Sequence, residues 1–152
     1  MKTYTLTVNE NQARLLSQAL ELVARVQTGQ WHEFIDWLPQ QEKVNHHDLR
    51  EQLMPIMRQH FANAKPESAN WTIDGWASHY GILSEHVEDT ARVAWDLQKV
   101  IDHCLAWDNN PEGGYTVDFD GPRHVGKQPL ATMKRVIEGT GCGNNLSPAL
   151  FW

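Results

Sequence analysis

The sequence is poor in cysteine and lacks long apolar runs, and these absences exclude several classes of protein. Its two cysteines, Cys104 and Cys142, are too few and too far apart for a CxxC zinc site or a disulfide framework, so we expect reduced thiols. No apolar run approaches the roughly 20 residues that a membrane span requires. The first residues, MKTYTLTVNENQ, also lack the apolar core of a secretion signal. We therefore expect a cytoplasmic protein that makes no contact with a membrane.

Motifs of catalysis are absent as well. The chain contains no G-x-S-x-G nucleophile motif, no G-x-x-x-x-G-K-[ST] phosphate loop and no H-E-x-x-H metal motif. Its eight histidines are scattered without a ligand-like spacing. We therefore expect no catalytic residue, no metal site and no cofactor.

Charge excludes a further class of partner. The chain has 152 residues, which fits a single domain over 1–152, with a Gly- and Asn-rich tail over 138–152 that is extended. The formal net charge is −6, which disfavours nucleic-acid binding because that needs a broad basic face. Tryptophan is unusually frequent, with seven in the chain. Seven tryptophans and a long amphipathic helix are compatible with a homo-oligomer.

Apolar periodicity predicts a mainly helical chain. Residues 10–27 form one amphipathic segment, and Asn9 followed by Gln12 fits a capping box at its start. A longer apolar stripe predicts a central helix over about 84–107, with Ser84 as its cap. With the segments between them, we expect three or four helices arranged around the 84–107 helix.

Two short segments predict a small sheet. TYTLTV, at residues 3–8, alternates apolar and polar side chains, and YTVDFD, at residues 115–120, does the same. Because an isolated strand is unstable, we pair the two segments, and residues 131–137 form either a third strand or a short helix, since periodicity does not decide between them. The predicted fold class is therefore α+β, mainly helical, with a two- or three-stranded sheet.

The strongest local anomaly is a basic segment that we define as residues 121–137. It contains four Lys or Arg residues, His124 and no acid, although the whole chain is acidic. Such a reversal of sign focuses anions locally. We predict an anion site in which Trp107 or Tyr115 stacks on a ring while Arg123, His124 and Lys127 hold phosphates. The alternative interpretation is a solvated loop whose cations pair with nearby acids.

An acidic pattern before the basic segment supports a different hypothesis. Glu85-x-x-Glu88 resembles half of the motif with which all-helical nucleotide pyrophosphohydrolases hold magnesium ions, and Asp89 adjoins it. The second half of that motif does not occur downstream, and Arg92 stands four residues after Glu88, as in surface ion pairs. We therefore expect these acids on a solvated face and keep a metal-dependent nucleotide hydrolase as an alternative function.

The segments TLTVNENQARLLSQALELVARVQTGQ and VAWDLQKVIDHCLAWDNNPEGGYTVDFDGP resemble a group of small phage and prophage proteins. The resemblance covers residues 4–38 and 80–131 and carries no catalytic residues. It implies a phage-encoded accessory protein that acts in the host cytoplasm, with a possible counter-defence role. Our first hypothesis is a non-enzymatic binder of an anionic small molecule, such as a signalling nucleotide. The alternative is a protein–protein inhibitor of a host factor that uses tryptophans and the tail ALFW.

Overall fold

Four α-helices dominate the described part of the chain. The computed structural model describes residues 2–37, 45–60 and 79–136, so the predicted tail over 138–152 lies outside the described residues. The elements are α1 (Glu10–Gln27), α2 (Trp31–Trp37), α3 (His46–His60), α4 (Asp89–Asn109) and a short 3₁₀ turn (Val117–Phe119). Among the described residues, none of these helices is long and apolar enough to cross a membrane.

The start of α1 is the predicted capping box. The side-chain oxygen of Asn9 accepts a hydrogen bond from the Gln12 amide at 2.9 Å, and the Gln12 side chain accepts one from the Asn9 amide at 2.9 Å. Both bonds satisfy amide groups that the first helical turn leaves without a partner. The predicted bounds of 10–27 are confirmed, because a signal contained in four consecutive residues decides where this helix begins.

The main helix contact joins α1 to α4, and small side chains make it close. Ala13, Ser17 and Ala24 are buried on α1, and Ala91 and Ala94 are buried on α4. One polar bond crosses the contact, from the Ser17 hydroxyl to the Asp102 carboxylate. Small residues let two helix backbones approach, so this pair forms the base on which the rest of the described chain is built.

The face of α1 that is buried is not the face that carries its large apolar side chains. Leu15, Leu16 and Val23 are exposed although they follow helical spacing. The face that contacts α4 is centred on Ala13, Ser17 and Ala24 instead. Apolar spacing therefore locates this helix correctly but does not identify the side that packs, because alanine and serine permit the closer approach.

The two shorter helices continue from α1. Gly29 has a φ of 92°, a left-handed conformation that suits glycine, and it ends α1 before α2 begins. α2 packs against α1 and α3, and an ion pair between Arg50 and Asp36 joins α3 to α2. Pro55 lies inside α3.

The start of the long helix was predicted five residues too early. α4 begins at Asp89 with Glu88 as its N-cap residue. Ser84 instead takes part in two turns, because its amide bonds the Gly81 carbonyl at 2.8 Å and its carbonyl accepts the Val87 amide at 3.0 Å. The Arg92 guanidinium donates to the Ser84 carbonyl at 2.8 Å and holds this turn on the helix. Ser84 is thus a turn residue, and a tertiary contact from Arg92 outweighs its capping preference.

The predicted strand over 115–120 is wrong, because the segment forms a 3₁₀ turn. The Phe119 amide bonds the Thr116 carbonyl at 3.1 Å. The carbonyls of Asp118 and Phe119 accept bonds from His103, at 2.8 Å, and from Trp107, at 3.3 Å. A strand would offer these carbonyls to a partner strand. Here the two carbonyls bind side chains of α4 instead, so the alternation of apolar and polar side chains does not decide the structure of this segment.

The predicted strand over 3–8 is also absent. Residues 2–9 have no regular secondary structure, and all of them except the half-buried Val8 are exposed, including Tyr4 and Leu6. Residues 131–136 have no regular secondary structure either. The described residues therefore contain helices and no sheet, and the predicted α+β class is corrected to a helical one. The physical reason is that neither alternating segment finds a strand partner in the described part of the chain.

The capping box generates the first prediction. We expect Asn9→Ala to lower the free energy of unfolding by about 1 kcal/mol, because the Gln12 amide loses its acceptor. Urea denaturation monitored by circular dichroism measures the change. Asn11→Ala, two residues further along in the first turn, is the matched control and should not destabilise the protein. Equal losses in both variants would contradict the capping role.

Candidate functional site

The basic segment is held against α4 by backbone groups rather than by its cations. Asp96 is only 4% exposed, and its two carboxylate oxygens accept the amides of Val125 at 2.9 Å and Gly126 at 2.8 Å. The next amide, that of Lys127, donates to the Asp89 carboxylate at 3.0 Å. Three successive N–H groups thus satisfy two helix carboxylates, and a buried carboxylate requires such partners.

A glycine makes this contact possible. A Cβ atom on Gly126 would lie 2.9 Å from the Asp96 carboxylate, 3.3 Å from the Val93 amide nitrogen and 3.4 Å from the Arg92 carbonyl carbon. Two of these neighbours are helix backbone and cannot move aside. Glycine is therefore needed at this position because the chain runs directly over the surface of α4.

Of the acids predicted on a solvated face, Glu85 and Glu88 are exposed, whereas Asp89 is half-buried. Asp96 is buried, Asp89 binds the Lys127 amide, and Arg92 bonds the carbonyls of Ile82 and Ser84 instead of pairing with acids. The sequence does contain a signal for the burial of Asp96. Asp96 follows Val93 by three residues and precedes the buried Val100 by four, so it lies on the same face of the helix as these apolar residues.

Once anchored, the basic segment forms one wall of a groove. The groove has a volume of about 460 Å³ and lies between the C-terminal half of α4 and the chain over residues 122–135. Apolar groups contributed by both sides include Val100, Pro122, Ala131 and Met133. Its polar or aromatic lining consists of His103, Cys104, Trp107, Asp108, Thr132, Lys134 and Arg135. This volume lies within the range of small-molecule sites.

Two aromatic groups give the groove a fixed end. The Trp107 ring packs edge-on against Phe119 with centroids 5.4 Å apart, and its Nε1 donates to the Phe119 carbonyl at 3.3 Å. His103 Nδ1 lies 2.8 Å from the Asp118 carbonyl. Because a carbonyl only accepts, Nδ1 carries the proton. The indole and the imidazole are thus oriented by the 3₁₀ turn.

Charges of both signs meet at the other side of the groove. Arg135 Nη1 lies 3.9 Å from the Asp108 carboxylate, and both side chains are substantially exposed. Such a pair is weak in water. Burial raises the pKa of the Cys104 thiol, and the negative charge of Asp108 raises it further. Lys134 and Arg135 are therefore the cations at the groove, and Asp108 is the anion whose field reaches into it.

The five predicted site residues do not converge on this groove. Trp107 lines it, whereas Tyr115 is fully exposed on the turn after α4. Arg123 and Lys127 have exposed side chains, and His124 Nε2 donates to the Gln128 carbonyl at 2.6 Å and lies 3.7 Å from the Asp96 carboxylate.

Lys134 and Arg135 line the groove, whereas Arg123 and Lys127 do not. All four belong to the same acid-free segment, so composition could not rank them. The anchoring of the amides at 125–127 decides which cations reach the groove.

The alternative site at Glu85, Glu88 and Asp89 receives no support from the described residues. No three His, Cys, Asp or Glu side chains lie together there in a way that could hold a metal ion. Asp89 already accepts the Lys127 amide. The tail ALFW of the inhibitor hypothesis lies outside the described residues.

Comparison of the chain with protein-family models, with curated proteins and with solved structures finds no match. The resemblance to phage and prophage proteins therefore stays a prediction.

The close approach of Gly126 generates the second prediction. We expect Gly126→Ala to lower the free energy of unfolding by about 1–3 kcal/mol, because its methyl group meets helix backbone. Gly121→Ala is the matched control, since a Cβ there meets nothing within 4 Å. Urea denaturation of both variants measures the difference. Two equally stable variants would show that the segment does not lie on α4 in this way.

The raised pKa of Cys104 generates the third prediction. In a Cys142→Ser background, we expect Cys104 to react with a disulfide reagent with a midpoint at higher pH than an ordinary thiol, because the thiolate is the reactive form. Removing the charge with Asp108→Asn should move the midpoint to lower pH. Asp120→Asn is the control and should leave it in place. A midpoint that Asp108→Asn does not lower would contradict the placement of Asp108 beside Cys104.

Proposed function

We propose that this chain is a non-enzymatic binding protein that captures an anionic ligand with a flat ring, such as a nucleotide, in the groove beside α4. The observation that carries the proposal is that the groove combines an oriented indole, Trp107, with two cations, Lys134 and Arg135. Aromatic faces bind nucleobases by stacking, and Arg and Lys bind phosphate. We infer the class of ligand from the presence of an aromatic ring and two cations in one concave site.

Each part of the groove has a separate task in this proposal. The apolar wall around Val100 and Met133 excludes water from the ring of the ligand. Arg135 exchanges its weak contact with Asp108 for a charge-assisted bond to the ligand. Lys134 adds a second positive charge next to it. In this proposal the protein binds the ligand without converting it, so the site needs no catalytic group.

The resemblance to small phage and prophage proteins supplies a setting for this function. A phage-encoded accessory protein in the host cytoplasm would gain from sequestering a signalling nucleotide of the host defence. That setting rests on the quoted sequence segments and is independent of the groove.

The test is a binding screen with cyclic di- and trinucleotides and ADP-ribose, by thermal shift and then by calorimetry. We expect the double variant Lys134→Ala with Arg135→Ala to weaken binding by about a hundredfold or more, since each of the two lost bonds to a charged group contributes about 1.5–3 kcal/mol. The matched control is Arg123→Ala with Lys127→Ala, which removes the same charge but lies away from the groove lining. It should weaken binding only slightly.

Two outcomes would contradict the proposal. One is the absence of any ligand in the screen. The other is an equal loss of affinity in the two double variants, which would show that total charge matters and the groove does not. A larger loss in the Arg123 and Lys127 variant would return the site to the residues that the sequence alone favours.

A further inference from the structure

The turn over residues 110–120 displays apolar side chains to solvent at the end of α4. Tyr115 has a relative exposure of 110%, and Val117 has one of 71%. Neither side chain contributes to the packing that forms the groove. A fully exposed tyrosine two residues from an exposed branched residue, on a short ordered turn, suits a protein contact because Tyr is enriched at interfaces.

Several bonds hold this turn in one conformation. Gly113 has a φ of 85°, and its amide donates to the Asn110 carbonyl at 3.0 Å. Further along, the carbonyls of Asp118 and Phe119 are bound by His103 and Trp107 of α4. Tyr115 and Val117 therefore lie between two fixed ends. A partner that binds them pays little entropy for ordering the backbone of the turn.

The surroundings of these side chains are acidic. Residues 108–120 contain Asp108, Glu112, Asp118 and Asp120 and no Lys or Arg. Lys99 lies 3.9 Å from Asp118 and Arg135 lies 3.9 Å from Asp108, so part of this charge is offset. No ion pair engages Glu112 or Asp120 within the described residues. The C-terminal end of α4 adds a partial negative charge, so the segment over 108–120 is locally negative although the basic segment follows it directly.

We infer that the 110–120 turn is a docking surface for a segment of a protein partner in which apolar side chains are flanked by Lys and Arg. Tyr115 packs on the apolar side chains, Val117 extends that contact, and Glu112 and Asp120 face the flanking cations. Interface anchors are commonly Tyr, and complementary charges around them set specificity and the rate of association. This surface is separate from the groove, and it does not depend on the proposed ligand.

The probe is a random peptide library displayed on yeast and selected against the immobilised full chain. We expect the selected peptides to carry Lys or Arg beside apolar residues. A synthetic peptide from this pool is then titrated against the purified chain by fluorescence anisotropy. Tyr115→Ala should weaken its binding by about thirtyfold, the loss typical of an interface hot spot. Because Tyr115 is exposed, its truncation leaves the fold intact.

Two further variants separate the contributions. Tyr4→Ala is the matched control, since Tyr4 is also exposed, at 85%, but lies in the N-terminal segment, and it should leave the affinity unchanged. Glu112→Gln with Asp120→Asn should weaken binding several-fold at low salt and little at high salt, because salt screens charges at an interface rim.

Several results would overturn the inference. They are peptides without a net positive charge, peptides that bind the Tyr115→Ala variant as well as the wild type, and a failure to select any peptide. Self-association of the chain that Tyr115→Ala abolishes in sedimentation would assign the surface to a second copy and would also overturn it. Nucleotide binding in the groove should be the same in the Tyr115→Ala variant, so the two sites are judged separately.

Discussion

The buried carboxylate of Asp96 is the interaction on which the course of the basic segment over α4, and with it the groove, depends. A carboxylate that is 4% exposed is costly unless hydrogen bonds compensate for the lost water. The amides of Val125 and Gly126 provide that compensation, and no side chain is needed for it. The acid thus determines where a distant segment crosses the helix. The groove exists because that segment continues alongside α4 from this point.

This mode of anchoring explains how an acidic chain keeps a basic surface. If the Lys and Arg side chains of the basic segment formed ion pairs with the acids of α4, those pairs would cancel the positive charge of the segment. Asp96 and Asp89 bind backbone amides instead, and Arg123 and Lys127 keep exposed side chains. Only Arg135 contacts an acid of the groove, and that pair is exposed and weak.

Local signals in the sequence were reliable where all the interacting atoms lie within a few residues. The capping box at Asn9 and Gln12 places the start of α1, and Pro111 follows the end of α4 by two residues. Signals that depend on a distant partner failed. The alternation over 115–120 resembles a strand, but His103 and Trp107 bind its carbonyls. Which cations of the basic segment line the groove likewise depends on contacts about 30 residues apart in sequence, so composition alone does not select them.

By itself, the sequence determined the presence of α1 and α4 and the reversal of charge over residues 121–137, because each depends on neighbouring residues or on composition. Tertiary structure decided that α1 packs through alanine and serine, that Asp96 is buried, and that Trp107 lines one groove with Lys134 and Arg135 while Tyr115 faces solvent. These outcomes depend on which helix faces approach each other and on which carboxylate the chain must satisfy, and both are properties of the folded molecule.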